Sequence, residues 1–65
     1  MSNQELPSPT TVEQWVRDIN QHGKNLNLWE QQFMAKITRG LSHGWKFTPK
    51  EIQIIERIYA NKTPL

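Results

Sequence analysis

Apolar residues recur at helical spacing in three separate segments of this chain, and that periodicity restricts the possible folds more than any other feature. The segments are 12–19, 29–41 and 52–59. Residues that recur at i, i+3, i+4 and i+7 lie on one face of an α-helix. No period-two alternation persists elsewhere, and no segment is repeated. The chain is therefore expected to be all-α, a compact three-helix domain with helices at about 11–22, 28–39 and 49–61.

The first stripe is preceded by signals for the start of a helix. A helix beginning at Thr10 or Thr11 would have Glu13 at the spacing of a capping box, in which threonine accepts from a free amide and glutamate reaches back. Gly23 predicts a left-handed stop. Residues 1–9 show no periodicity and are predicted to be a flexible, disordered leader.

The second helix has its own start and stop signals. Asn27 and Glu30 are a cap pair at the required spacing of three residues. Arg39 falls near the C-terminal end, where the helix dipole favours a cation. Gly40 is the predicted stop.

The third helix has the best start signal in the chain. Thr48 is a capping residue, Pro49 takes the first helical position, where its missing amide costs nothing, and Glu51 completes a capping box. Phe47 and Ile52 stand where a hydrophobic staple places its two side chains. These signals favour a helix from residue 49.

A strand over 52–59 is the competing prediction, because isoleucine is not a strong helix former. Glu56 and Arg57 break the apolar run, and together with the cap they favour the helix. The domain is then expected to cover 10–62 and to leave 63–65 as a tail. The predicted core consists of Trp15, Trp29, Phe33, Ile37, Ile52, Ile55 and Tyr59.

The charges are unevenly placed along the chain. Residues 1–30 carry two basic and four acidic side chains, whereas residues 31–65 carry six basic and two acidic ones. An excess of cations in one half indicates an acidic partner. The alternative is structural, since the C-terminal ends of helices favour cations in any protein.

Several classes of protein are disfavoured by composition. The chain has no cysteine, and its two histidines, His22 and His43, stand alone, so neither a disulfide framework nor a metal site is expected. No apolar run is long enough for a membrane span, and the first residues do not have the pattern of a signal peptide. The expected location is the cytoplasm, with no membrane as partner.

Motifs for catalysis are mostly absent. The chain contains neither of the glycine-rich phosphate-binding patterns. Ser42 and His43 are adjacent, but a Ser-His-Asp site needs three converging groups and an oxyanion hole. We therefore expect a protein that is not an enzyme, with no cofactor and no small-molecule substrate.

The segment between the second and third helices concentrates basic and aromatic side chains. The predicted partner-binding residues are Arg39, His43, Trp45, Lys46 and Lys50. They suit a protein partner, because tryptophan and arginine dominate interface hot spots. They also suit nucleic acid, whose phosphates attract cations and whose bases stack on aromatic rings. A third interpretation places Phe47 and Trp45 in the core, and for Trp45 the sequence leaves core and surface open.

A DNA-reading helix-turn-helix fits this segment poorly. That motif joins its helices by a turn of roughly 3 to 4 residues, whereas the predicted connection here runs from Gly40 to Phe47. The third helix would present Lys50 and Arg57 outward, with glutamates beside them.

Residues 28–60 nevertheless resemble a known kind of module. The pattern W-E-x-x-F…I, a basic loop, T-x-K-E and I-x-x-I is similar to a small helix-loop-helix module of phage-type accessory proteins associated with DNA- and RNA-processing machinery. The additional helix at 11–22 departs from that module. The resemblance carries no catalytic residues. It implies a phage-type regulator that binds a host enzyme such as RNA polymerase or a replication protein, with a direct nucleic-acid-binding helical domain as the alternative.

Overall fold

The computed structural model describes residues 8–63, and these fold into three helices without a strand. Helix α1 spans Pro9–His22, α2 spans Leu28–Ser42 and α3 spans Pro49–Lys62. The all-α, three-helix prediction is confirmed, including the helix rather than the strand over 52–59. The rest of the predicted leader, 1–7, and the tail residues 64–65 lie outside the described residues.

The helices form an up-down-up arrangement. The amide of Lys24, just after α1, donates to the carbonyl oxygen of Lys62 at 2.9 Å, so the C-terminal ends of α1 and α3 adjoin. Residues from the N-terminal parts of the same two helices, Val12 and Ile52, line a common groove. Helices α1 and α3 therefore run parallel, and α2, which lies between them in sequence, runs in the opposite direction. Helix α1 packs against both other helices.

The core is built from one face of each helix. Ile37 and Ile55 are completely shielded from solvent, and the other members are nearly so. The full set is Val12, Val16, Ile19, Phe33, Met34, Ile37, Ile52, Ile55 and Ile58. Most of its members are aliphatic. Helix α1 contributes Val12, Val16 and Ile19 to this core, whereas Trp15 packs against it.

The predicted core was wrong at one of its aromatic positions. Trp29 is 58% exposed and stacks flat on the ring of Phe33, with centroids 5.2 Å apart. It lies in the first turn of α2, and side chains of a helix lean toward its N-terminus, so Trp29 extends past the end of the core. Trp15 and Tyr59 are half-buried and pack against the core from outside.

Helix α1 begins earlier than the sequence indicated. Ser8 is the cap, its hydroxyl oxygen accepting from the amide of Thr11 at 3.2 Å, and Pro9 takes the first helical position. The predicted start at Thr10 or Thr11, with its capping box to Glu13, was therefore wrong. Proline at the first position is already in helical geometry and lacks an amide that would otherwise stay unpaired.

The stop at the other end of α1 also differs. Gly23 has φ −64° and ψ 138°, which is extended backbone rather than the predicted left-handed turn. The left-handed residue of this loop is Asn25, at φ 62°. Asparagine tolerates that conformation better than other non-glycine residues.

Both remaining capping boxes are confirmed. In α2 the side chain of Asn27 accepts from the amide of Glu30 at 2.8 Å, and the carboxylate of Glu30 accepts from the amide of Asn27 at 2.9 Å. In α3 the corresponding distances between Thr48 and Glu51 are 3.1 and 2.9 Å. Each box satisfies two amides that the helix itself leaves free.

Polar contacts join the elements where α1 and α3 end and α2 begins; we call this the linked end. The ammonium of Lys62 donates to the carbonyl oxygen of Asn25 at 3.1 Å and lies 3.6 Å from the carboxylate of Glu30. The side-chain amide of Gln31 donates to the carbonyl oxygen of Leu26 at 2.9 Å. These contacts fix the loop between α1 and α2 to both following helices.

Candidate groove at the opposite end

Helix α2 ends in a Schellman arrangement that positions Trp45. The amide of Trp45 donates to the carbonyl oxygen of Gly40 at 2.9 Å, and the amide of Gly44 donates to the carbonyl oxygen of Leu41 at 3.2 Å. Gly44 has φ +71°, a left-handed conformation that favours glycine. The helix therefore continues through Gly40, the predicted stop, and turns at Gly44 instead.

Gly40 has a different role: because it lacks a side chain, aromatic rings of the following loop pack closely against it. A Cβ atom added there would lie 2.6 Å from Cε3 of Trp45 and 3.1 Å from Cε1 of Phe47. The first distance is shorter than real Cβ contacts and the second is tighter than most, so a side chain at this position would displace the ring of Trp45. A contact between this helical residue and the one after the turn commonly accompanies a Schellman motif.

Trp45 thus combines the two roles that the sequence left open. Its ring rests on Gly40, yet 53% of the residue stays exposed. Phe47 is half-buried and packs against the core, as expected for the staple of α3. The backbone turn and the ring contact hold Trp45 in place without covering it.

Beside Trp45 lies a groove of about 470 Å³ in which all three helices take part. Its lining is mostly apolar and comes from the start of α1, the end of α2, the loop and the start of α3. The lining residues are Pro9, Val12, Glu13, Leu41, Gly44, Trp45, Lys46, Phe47 and Ile52. We call this region the groove end of the bundle.

Two charged residues of opposite sign line this groove, and they come from different elements. Glu13 comes from α1 and Lys46 from the loop, and both are exposed. Arg39 in the last turn of α2 and Lys50 in the first turn of α3 are exposed as well. Among the residues that the structure describes, Arg39, Lys46 and Lys50 form no ion pair.

The carboxylate of Glu51 is already engaged. It accepts from the amide of Thr48 and lies 3.5 Å from the ammonium of Lys36. The hydrogen bond from the Thr48 amide, with the positive charge of Lys36, holds the pKa of Glu51 below its ordinary value, although desolvation opposes this. Glu51 thus forms its ion pair with Lys36, and no ion pair joins it to Lys46 or Lys50 among residues 8–63.

The structure unites three of the five predicted site residues. His43 caps α2, and its ring lies 5.8 Å from that of Trp45 at an angle of 23°. Trp45 and Lys46 both line the groove. Arg39 and Lys50 flank the loop: the amide of His43 donates to the carbonyl oxygen of Arg39 at 3.2 Å, but neither Arg39 nor Lys50 lines the groove. Whether these residues bind anything stays a prediction.

Sequence reasoning missed the contribution of α1. Pro9, Val12 and Glu13 form part of the groove, although they precede the loop by more than thirty residues. Only the packing of α1 beside α3 brings them there. Leu41 was expected as part of the α2 stripe, and no local signal indicated that it would line a groove.

Other parts of the described surface offer fewer groups suited to binding or catalysis than the groove end does. A wider depression of about 600 Å³ between α1 and α2 has Asn20, Asn25 and Gln31 in its lining. The hydroxyl of Ser42 donates to the carbonyl oxygen of Thr38 at 3.3 Å, so it is engaged with the backbone. Within residues 8–63, no three histidine, aspartate or glutamate side chains come together to hold a metal ion.

None of the three helices is both long and apolar enough to cross a membrane. Comparison of the chain with protein-family models, with curated proteins and with solved structures finds no match. The function is therefore inferred from the geometry of the groove end.

Proposed function

We propose that this chain is a small non-enzymatic interaction protein that binds a protein partner at the groove end, with Trp45 as its anchor. The observation that carries the proposal is the state of Trp45. Its ring is held against Gly40 while half of the residue stays open to solvent beside an apolar groove.

A tryptophan held in this way suits binding for two reasons. A large aromatic side chain contributes much contact area, and tryptophan is enriched among hot spots. Its orientation is also fixed beforehand, so less side-chain entropy is lost when a partner binds. The apolar groove beside it offers a place for a complementary side chain.

The wider role follows from the resemblance of residues 28–60. A phage-type accessory module would use this surface to dock on a nucleic-acid-processing enzyme of the host, such as RNA polymerase or a replication protein, and modulate it in the cytoplasm. The cations near Trp45 would suit an acidic surface on such a target, because complementary charges speed association.

Direct binding of nucleic acid is the second candidate. Three cations without ion pairs near an exposed aromatic ring favour it, since phosphates and bases need that combination. Glu13 in the groove lining opposes it, because a nucleic acid carries a negative charge at every nucleotide and would meet this carboxylate, whereas a peptide can place an uncharged residue there. The protein partner is therefore the better-supported function.

Affinity capture from host-cell extract, with and without nuclease, tests the proposal. The matched variants are Trp45→Ala and Trp29→Ala, which remove similarly exposed indoles from opposite ends of the bundle. Circular dichroism first confirms that both variants fold. We expect a protein that the wild type and Trp29→Ala retain after nuclease treatment and that Trp45→Ala loses. Loss of all retained protein on nuclease treatment would instead support nucleic-acid binding.

A further inference from the structure

The groove end has a division of charge that restricts what can bind there. Glu13 lines the groove from α1, whereas Lys46 lines it from the loop. Arg39 and Lys50 lie on the helices that this loop joins. The negative charge is thus associated with α1, and the positive charges with the segment from the end of α2 to the start of α3.

The cations of the segment from the end of α2 to the start of α3 have no carboxylate of this chain paired with them within residues 8–63. Lys46 and Lys50 precede Glu51, but that carboxylate is shared between the Thr48 amide and Lys36. No ion pair within residues 8–63 involves Arg39, Lys46 or Lys50. A ligand that carries carboxylates on this side would meet unpaired cations, whereas carboxylates on the other side would face Glu13.

We propose that the groove end binds an acidic peptide segment of the partner. An apolar side chain of the segment enters the groove beside Trp45, and its flanking carboxylates lie toward Lys46, Lys50 and Arg39. The segment keeps its negative charge away from Glu13. This inference rests on the proposed function and adds the chemical class of the bound segment and its orientation.

The division of charge gives the proposal a property that a merely basic surface would lack. Removing the charge of Glu13 should strengthen binding of an acidic segment, and removing the charge of Lys46 should weaken it. Opposite responses to the loss of a carboxylate and of an ammonium would show that the bound segment carries negative charge near the groove. Rim charges act mainly on association rate and salt dependence, so both effects should shrink as salt is raised.

The test begins with a displayed library of random peptides, selected in parallel against the full chain and against Trp45→Ala. Peptides retained only by the wild type are sequenced, and one is synthesised with a fluorescent label. Its affinity is measured for the wild type, Glu13→Gln and Lys46→Gln. Lys24→Gln, an exposed lysine at the linked end, is the matched control, and a single-stranded oligonucleotide is measured alongside.

We expect the selected peptides to carry an apolar residue flanked by aspartate and glutamate. Trp45→Ala should weaken binding by about 30-fold or more. Lys46→Gln should weaken it about two- to fivefold, Glu13→Gln should strengthen it by a similar factor, and Lys24→Gln should leave it unchanged.

Two other results separate the inference from the proposed function. Trp45-dependent peptides that are neutral or basic, or whose affinity ignores Glu13→Gln and Lys46→Gln, would overturn the acidic segment and leave protein binding intact. Recovery of no Trp45-dependent peptide would overturn the acidic segment, whereas the protein partner itself is overturned only if capture from extract yields no protein that Trp45→Ala loses. Binding of the oligonucleotide in that case would assign the surface to nucleic acid.

Discussion

The two ends of this bundle are held together by different means. At the linked end, Lys62 reaches both the carbonyl oxygen of Asn25 and the carboxylate of Glu30, and the Lys24 amide bonds to the backbone of α3. At the groove end, Trp45 and Phe47 lie against Gly40, and the ion pair between Lys36 and Glu51 links α2 to the first turn of α3. Hydrogen bonds and an ion pair hold the loop at the linked end, whereas the groove end exposes Trp45 beside an apolar groove.

The two exposed tryptophans show the same contrast. Trp29 stacks on Phe33, which lies one turn further along the same face of α2. Trp45 lies on a glycine and borders a groove to which α1 and α3 also contribute. Similar exposure therefore has different meaning, since Trp45 stands beside a concave apolar surface whereas Trp29 stacks on one ring of its own helix.

Ile55→Ala should have the largest effect, because Ile55 belongs to the core that both ends share. A fully buried isoleucine shortened to alanine costs roughly 2 to 5 kcal/mol, which is enough to unfold a domain of this size. Urea denaturation followed by circular dichroism measures the loss. Ile55→Val is the matched control and should cost about 0.5 to 1.5 kcal/mol. Equal midpoints for wild type and Ile55→Ala would show that the core lies elsewhere.

Gly40→Ala should disturb the groove end selectively. The added methyl group would overlap the ring of Trp45, at 2.6 Å, and overpacking typically costs about 1 to 3 kcal/mol. The free energy of unfolding from urea titration reports this cost. The double variant Gly40→Ala/Trp45→Ala removes the overlapping ring, so the added methyl should cost less there than in the wild type. An equal cost in both backgrounds would argue against the ring contact.

The sequence predicted well what depends on neighbouring residues. Helical periodicity and the capping boxes at Asn27 and Thr48 gave the three helices, because their determinants lie within a few residues of one another. Trp29 matched the periodicity but lies beyond the end of the core, where periodicity alone does not assign burial. Gly40 was taken as a stop since its contact with Trp45 depends on the turn at Gly44.

The site was predicted only in part for the same physical reason. The loop residues His43, Trp45 and Lys46 are near one another in sequence, and the structure keeps them together. Glu13 is brought to the groove by tertiary packing, so no local pattern could indicate it. The cap of α1 was also missed, because Thr10 and Glu13, two residues after Ser8, offer the spacing of a capping box.

Thr48→Ala should weaken the groove end moderately. It removes the acceptor for the Glu51 amide, and loss of such a cap costs on the order of 1 kcal/mol. Thr10→Ala is the control, because α1 is capped by Ser8. Urea midpoints should fall for Thr48→Ala and stay near the wild-type value for Thr10→Ala. The reverse order would show that α1 starts where the sequence first suggested.

Lys62→Met should loosen the linked end by a smaller amount. The substitution keeps much of the apolar stem and removes the hydrogen bond to Asn25 and the ion pair with Glu30. Partly exposed pairs contribute about 0.2 to 1 kcal/mol. Amide hydrogen exchange should accelerate in residues 23–27 more than in residues 43–48. Faster exchange at the groove end instead would contradict the division of the bundle into two ends.

The smallest effect concerns pH and Glu51. Because folding lowers the pKa of Glu51, its ionised form adds stability above the ordinary glutamate range. That contribution disappears as pH falls through the lowered pKa. Wild type should therefore lose more stability than Glu51→Gln on acidification from neutral pH to below about 4.3. If the urea midpoints of both proteins fall in parallel across this range, ionisation of Glu51 does not contribute to the stability of the fold.

The central claim is that the groove end, rather than the other exposed tryptophan surface, meets the partner. Two-dimensional NMR of the ¹⁵N-labelled protein resolves the indole N–H signals of Trp15, Trp29 and Trp45, assigned by single substitutions. On titration with the captured partner or a selected peptide, the Trp45 signal should shift while that of Trp29 stays in place. A shift of Trp29 with Trp45 unchanged would contradict the claim and assign binding to the linked end.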